Sequence, residues 1–199
     1  MVYSPYPKRS TLFRREPIND KQAAALKTRE RLIEAALTTL SREGVQNLTL
    51  DHVAKEAQVS KGGLLHHFPS KDALVEAVLR YLFDSFIERV EAFLKDEAVQ
   101  PGRLLRAYIR ATFDDFDIPF PLLVSLLSYV HDRESLRQLI QEDHSYWEER
   151  LLNDGVPALR ATIIRMTCDA YWMESASIIQ SQVEGDKIAA ELLRMTREG

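Results

Sequence analysis

The sequence is poor in residues that interrupt helices. Its 199 residues include only seven glycines and eight prolines, and long stretches contain neither. We therefore expect an all-helical (all-α) protein. Cysteine is nearly absent as well. Cys168 has no second cysteine to pair with, which excludes an intrachain disulfide and favours a buried thiol in a reducing compartment.

Long uncharged apolar runs are also missing. The longest apolar region, residues 156–179, is interrupted by four charged side chains, so the sequence predicts no membrane span. The opening residues, MVYSPYPKRS, lack the apolar core of a signal peptide. Together with the lone cysteine, these absences predict a cytoplasmic protein.

The net charge of -4 hides an asymmetry between the two parts of the chain. Residues 1–71 carry 12 Lys and Arg against 7 Asp and Glu, which gives +5, whereas residues 72–199 carry 14 against 23, which gives -9. The basic first third is the part expected to meet a polyanion.

Glycine, proline and capping residues divide the chain into nine predicted helices, three before residue 70 and six after it. Asp20 is the expected N-cap of the first helix, and Gly44 is expected to end it. The acidic run at Asp114, Asp115 and Asp117 precedes a proline and is interpreted as a solvated helix end rather than a metal site.

Two short helices in the basic third are separated by the break Gln-Val-Ser. Thr49 is the expected N-cap of the first helix, and Ser60 is the expected N-cap of the second. Two such helices packed on a longer preceding helix form a helix-turn-helix, whose second helix enters the major groove of DNA. Gly62 and Gly63 each cost that helix about 1 kcal/mol relative to alanine. A close approach of the bare backbone to DNA would explain why glycine stands at both positions.

The same stretch, SKGGLLHHFPSK, allows other interpretations. His66 and His67 suggest a metal site, but adjacent side chains on a helix diverge by about 100°, so one ion cannot easily use both. A phosphate-binding loop would need a glycine-rich run ending in Gly-Lys-Ser/Thr, which is missing here. We therefore predict no metal and no cofactor. His67 could also pack in the protein rather than touch DNA.

Residues 28–79, TRERLIEAALTTLSREGVQNLTLDHVAKEAQVSKGGLLHHFPSKDALVEAVL, resemble the DNA-binding domain of TetR/AcrR-type transcriptional regulators. The resemblance is carried by the aliphatic run of the first helix, Gly44, Thr49, VAKEA, and VS followed after six residues by HF-x-SK. It implies an N-terminal three-helix helix-turn-helix domain followed by a six-helix C-terminal ligand-binding and dimerisation bundle. We accordingly divide the chain into a flexible basic arm (1–19), a DNA-binding domain (20–70) and a ligand-binding and dimerisation domain (71–199).

The resemblance also implies which residues lie at or near DNA, with Lys71 on a phosphate. The predicted DNA-binding residues are Thr49, Ser60, Lys61, Gly62, Gly63, Leu65, His66, His67 and Lys71. Three positions depart from the family pattern. Leu65 stands where a phosphate-contacting tyrosine is common, Gly63 replaces a common threonine, and Gln58 stands where a glycine is usual in the turn.

Aromatic residues are frequent in the second domain, where small-molecule sites between bundle helices have mostly apolar walls. The predicted ligand-binding residues are Phe86, Tyr108, Phe116, Leu123, Leu127, Trp147 and Trp172. Aromatic residues at helical spacing also form ordinary cores, so core packing is the alternative. The apolar composition favours a hydrophobic or aromatic small-molecule effector.

The helix predicted at residues 156–180 is apolar on nearly every face and must be covered all round. One side can pack in the domain and the other can meet a partner. We therefore predict a homodimer through the last two helices, as two helices from each protomer form a symmetric seam. A fully buried core helix is the alternative.

These features predict a dimeric repressor that binds a pseudo-palindromic DNA operator. A small-molecule effector would release it by binding the other conformation better and shifting the long helix at residues 71–95. A ligand-independent regulator or activator is the alternative. An enzyme is disfavoured because no nucleophile is paired with a convincing general base.

Overall fold

The structure, a computed structural model, describes residues 19–114, 120–175 and 182–197. Within them, the side chains of residues 120, 121, 123–125, 174 and 175 are not described. The predicted basic arm (apart from residue 19) and Phe116 therefore lie outside the described residues, as does the side chain of Leu123.

The described residues form nine helices and no strands, as predicted. The helices are α1 (Asp20–Asn47), α2 (Leu50–Glu56), α3 (Lys61–His67), α4 (Lys71–Asp96), α5 (Arg103–Phe113), α6 (Phe120–His131), α7 (Glu134–Leu152), α8 (Ala158–Ser175) and α9 (Gly185–Met195). Along this part of the chain, no helix is long and apolar enough to cross a membrane.

The start of α1 lies one residue earlier than the sequence predicted. Asn19, not Asp20, is the N-cap, and its side chain accepts a hydrogen bond from the Gln22 backbone N–H at 2.9 Å. The Gln22 side chain accepts in turn from the Asn19 backbone N–H at 3.2 Å. This reciprocal capping box satisfies two N–H groups that the helix itself leaves unpaired, which favours Asn19 as the cap.

Two backbone positions have positive φ angles in the described first third. Gly44 has φ 74° and interrupts the regular geometry near the end of α1, which agrees with its prediction as the stop signal. Gln58 has φ 54° in the turn between α2 and α3. A left-handed backbone is least costly for glycine, which explains why a glycine is the usual residue at this place.

The chain forms two compact units. The first contains residues 19–84 and 120–139 of the described chain, and in it α1 packs against α6 as well as α2. Its core includes Leu32, Leu40, Leu64 and Leu74, which are all completely buried. The second domain predicted from the sequence (71–199) includes α6; the domain boundary at 70/71 remains a prediction.

The second unit contains residues 85–114, 140–175 and 182–197 of the described chain. Its core includes Leu105, Ile109, Leu151 and Ile164. Cys168 belongs to the same core, as predicted for a lone structural thiol. Burial raises the pKa of the Cys168 thiol to about 12, so the group stays protonated at neutral pH.

Candidate DNA-binding and effector sites

The two short helices α2 and α3 are built as the sequence predicts. The Thr49 hydroxyl accepts from the His52 backbone N–H at 3.2 Å, and the Ser60 hydroxyl accepts from the Gly63 backbone N–H at 3.0 Å. Both predicted N-caps are therefore confirmed. The Val59 backbone N–H donates to the Ala54 carbonyl at 2.8 Å, which fixes the turn between the helices.

Helix α3 has a buried face and an exposed face. Leu64 is completely buried, and Phe68 just beyond the helix is nearly so. Lys61, Gly62, Leu65 and His66 lie on the exposed face. An exposed leucine on a short, otherwise polar face is the arrangement expected if Leu65 contacts a partner rather than the core, but its DNA contact stays a prediction.

The two glycines of α3 occupy different surroundings. A Cβ atom added at Gly62 would meet nothing within 4 Å. A Cβ atom at Gly63 would lie 2.9 Å from Val59 Cγ1 and 3.2 Å from the capping hydroxyl of Ser60. A side chain at position 63 would therefore require Val59 or Ser60 to shift, whereas Gly62 leaves its side of the helix open to an approaching molecule.

We expect Gly62→Ala to raise the free energy of unfolding by up to about 1 kcal/mol, because alanine is the better helix former and nothing obstructs it. The same change should lower operator affinity about tenfold if the bare backbone approaches DNA. Gly63→Ala is the matched variant and should be the less stable of the two, because Val59 or the Ser60 cap must move. Urea unfolding and gel-shift titration measure both effects. A Gly62→Ala variant with unchanged operator affinity would contradict the close approach.

His67 lies partly buried beside a cation. Burial lowers its pKa below the ordinary value of 6.5, and His66 and Arg29 lower it further. The rings of His66 and His67 are 5.5 Å apart in an edge-to-face arrangement, and the Arg29 guanidinium lies 5.2 Å from the Phe68 ring. His67 is therefore neutral at neutral pH in the free protein.

The lowered pKa of His67 gives a testable pH dependence of DNA binding. A phosphate near the imidazole favours the protonated form, so binding would be coupled to proton uptake and operator affinity should rise as pH falls below about 6.5. Stability of the free protein should fall over the same range, because the unfolded chain binds the proton more readily. His67→Gln should reduce both effects, measured at fixed salt between about pH 5.5 and 8. Affinity that is independent of pH in both proteins would place His67 away from phosphate.

Lys71 makes contacts inside the first unit. Its amine donates to the Val45 carbonyl at 2.5 Å and lies 5.2 Å from the centre of the Tyr129 ring. Burial and the charge of Arg133 lower the pKa of Lys71, while Asp72 raises it. The hydrogen bond to Val45 uses one of the three donors of the amine, so a phosphate contact by Lys71 would have to use the other two, and this contact also stays a prediction.

A polar cluster that was not predicted from the sequence joins α4 to α6. The Tyr129 hydroxyl donates to Asp72 Oδ1 at 2.5 Å, and Arg133 Nε donates to the same oxygen at 3.0 Å. The Arg133 guanidinium also lies 3.4 Å from the Tyr129 ring centre. Burial and Asp72 raise the pKa of Tyr129 to about 12, which keeps the hydroxyl a donor. No signal in the sequence relates residues 57 positions apart.

In the second unit, four of the predicted ligand-binding residues meet in one aromatic cluster. The Phe86 ring centre lies 5.2 Å from Tyr108, 5.4 Å from Trp147 and 5.2 Å from Trp172, in edge-to-face geometry. Tyr146, which the sequence analysis did not select, lies 5.2 Å from Trp147. Edge-to-face contacts are the favoured arrangement of packed aromatic rings, so the cluster also contributes to the core.

A polar edge adjoins this cluster. The Tyr108 hydroxyl donates to Asp169 Oδ1 at 3.1 Å, and Arg165 Nη1 donates to Asp169 Oδ2 at 2.6 Å. Burial, followed by the charge of Asp169, raises the pKa of Tyr108 well above its ordinary value. The phenol is therefore a neutral donor that is fixed in one direction. Of the remaining predicted residues, Leu127 is exposed and belongs to the first unit.

Helix α8 presents apolar side chains on two sides. Ala161, Ile164 and Cys168 are buried in the second unit. On the other side, large apolar side chains are exposed at intervals of four, three and seven residues: Leu159 (76%), Ile163 (45%), Met166 (58%) and Met173 (50%). We refer to these four residues as the α8 stripe. The spacing keeps them on one face of the helix.

Comparison with known proteins accords with this architecture. Residues 32–78 match the family model described as bacterial regulatory proteins, tetR family. Residues 102–197 match the tetracyclin repressor-like C-terminal domain. The HTH-type transcriptional regulator BetI of Stenotrophomonas maltophilia (strain R551-3) is 27% identical over 169 residues, which are 80% of this chain and 86% of that protein. BetI of Burkholderia cenocepacia (strain HI2424) is 36% identical over 105 residues, about half of each protein (51% and 52%).

Solved structures share the fold. A crystal structure of a putative transcriptional regulator from Pseudomonas aeruginosa PAO1 has a TM-score of 0.69 at 20% identity, covering 83% of this chain and 88% of that one. The multidrug binding protein EbrR complexed with malachite green has a TM-score of 0.65 at 21% identity, covering 85% and 98%. The two matched family regions together span more than half of the sequence, and the chain belongs to the TetR family of transcriptional regulators.

Proposed function

We propose that the protein is a dimeric repressor that binds a pseudo-palindromic operator and is released from it by a small hydrophobic or aromatic molecule. The observation that carries the DNA-binding part is the exposed face of α3, held by the Ser60 cap on one side and by buried Leu64 on the other. In a helix-turn-helix, such a second helix lies in the major groove.

The α8 stripe supports dimerisation. Four large apolar side chains on one exposed face are unusual on a monomer and typical of an interface. The exposed face of α9 instead carries ion pairs, Lys187 with Glu184 and Arg194 with Glu191. We therefore place α8 at the centre of the seam and α9 at its side. A two-fold dimer presents two copies of α3, which accounts for a two-fold operator.

The aromatic cluster supports an effector site in the second unit. Phe86, Tyr108, Trp147 and Trp172 come from four helices, so a ligand that separates the rings would move several helices at once. EbrR, a structural neighbour, is a multidrug binding protein solved with malachite green. Helix α4 contains residues of both units and includes Phe86. A ligand that displaces Phe86 would therefore act on a helix that continues into the first unit.

The test is selection of operator sequences from a random duplex pool, followed by titration of the selected duplex with aromatic compounds. A palindromic motif bound by the dimer, and released by a compound whose binding quenches tryptophan fluorescence, is the expected result. Absence of any enriched sequence at low salt would overturn the proposed function. An enriched operator that no compound releases would favour a ligand-independent regulator.

A further inference from the structure

The first residue of α3 is paired with a carboxylate from α2. Lys61 Nζ donates to Asp51 Oδ2 at 2.9 Å, and both side chains are more than half exposed. Asp51 lies in the first turn of α2, ten residues before Lys61. The pair thus bridges the N-terminal ends of the two helices of the helix-turn-helix.

Stability does not explain this pair well. An ion pair between exposed side chains contributes little to stability, and much of that contribution is lost in salt. Asp51 also gains a little from its place near the start of α2. For DNA binding, however, a carboxylate beside the first residue of α3 lowers the affinity, because phosphates repel it.

The chemistry of the two groups shows what could offset that loss of affinity. The lysine amine has three donors and no acceptor. One donor can stay on Asp51 while the others reach the O6 and N7 acceptors of a guanine in the major groove. The carboxylate also opposes a shift of the amine to a phosphate, where Lys61 would bind any sequence equally.

We propose that Asp51 is a specificity-determining residue. It orients the Lys61 amine toward the major-groove edge of a guanine and opposes contacts between that amine and phosphates. The inference rests on the proposed function and deepens it, since it names a side chain that separates operator from other DNA. It also predicts a guanine in each half-site at the position that α3 reads with its first residue.

The experiment is a double-mutant cycle of Asp51→Asn and Lys61→Met. Affinities are measured for the selected operator and for an unrelated duplex at several salt concentrations. Asp51→Asn should raise affinity for the unrelated duplex and steepen its salt dependence by about one unit per protomer, because Lys61 becomes free to bind phosphate. The ratio of operator to unrelated affinity should fall about tenfold. In the Lys61→Met background, Asp51→Asn should leave that ratio unchanged.

Glu56→Gln is the matched control, because Glu56 is an exposed carboxylate at the other end of α2. It should raise both affinities by the same factor. If Asp51→Asn also raises the operator affinity and the unrelated-duplex affinity by the same factor, Asp51 acts only by repulsion and the inference is overturned. The inference is likewise overturned if Asp51→Asn changes the ratio of the two affinities as much in the Lys61→Met background as in the native protein. A pool that yields no operator overturns the proposed function as well, whereas an unchanged ratio on a real operator overturns the inference alone.

Discussion

Replacing Ile163 and Met166 by glutamate should convert the proposed dimer into a monomer and lower operator affinity at least about a hundredfold. The proposed dimer would bind its second half-site as an intramolecular event, and loss of such linkage commonly lowers affinity by a factor of about 100 or more. Both residues belong to the exposed α8 stripe, so the folded monomer tolerates the charges, whereas a seam between two protomers would bury four carboxylates. Glutamate is also a good helix former, which preserves α8.

Analytical ultracentrifugation and gel-shift titration measure the two consequences. Val99→Glu is a suitable control, because Val99 is an exposed apolar residue (88%) outside α8. It should remain a dimer with normal operator affinity. If the α8 double variant is still dimeric, the seam lies elsewhere. If it is monomeric but binds the operator as tightly as the native protein, two-fold binding is wrong.

Glu97→Ala should destabilise the second unit by about 3–5 kcal/mol, the usual cost of leaving one partner of a buried ion pair alone. Arg106 Nε donates to Glu97 Oε2 at 2.8 Å, and these side chains are only 2% and 7% exposed. Arg110 approaches the other carboxylate oxygen at 3.2 Å. The Arg106 side chain also donates to the Pro101 carbonyl at 2.9 Å, so the pair fixes the connection between α4 and α5.

Urea unfolding followed by circular dichroism measures this loss, which corresponds to a fall in Tm of roughly 10 °C for a chain of this size. Glu191→Ala is the matched control. It breaks the exposed pair with Arg194 on α9 and should change stability little. The double variant Glu97→Leu with Arg106→Met removes both buried charges and should be more stable than Glu97→Ala. Equal losses in the single and double variants would show that packing, not charge, accounts for the effect.

Local features of the fold followed from the sequence. The caps Thr49 and Ser60 each bind an N–H group three residues ahead, and Gly44 adopts its left-handed angle within its own turn. Contacts over so few residues depend on residue type alone, so they can be read from the order of the residues. The helix count and the family resemblance rest on the same local signals. The Asn19 cap was missed by one residue because asparagine and aspartate cap equally well.

The tertiary structure decided which side chains meet. The amine of Lys71 lies on the Val45 carbonyl and that of Lys61 on Asp51, although both amines look free in the sequence. Phe86 and Trp172 are neighbours across 86 residues, while Leu127, chosen by the same apolar criterion, is exposed in the other unit.

Helix α8 shows the physical reason for this difference. Its sequence is apolar on nearly every face, which determines that it must be covered but not by what. Only the packing of the second unit separates buried Ile164 from exposed Ile163. Helix propensity and capping act within a few residues, whereas burial and pairing depend on elements that are distant in the chain. The sequence by itself determined a helical DNA-binding protein of the TetR family. The tertiary structure decided which helix faces are exposed, which amines are paired and which aromatic rings meet.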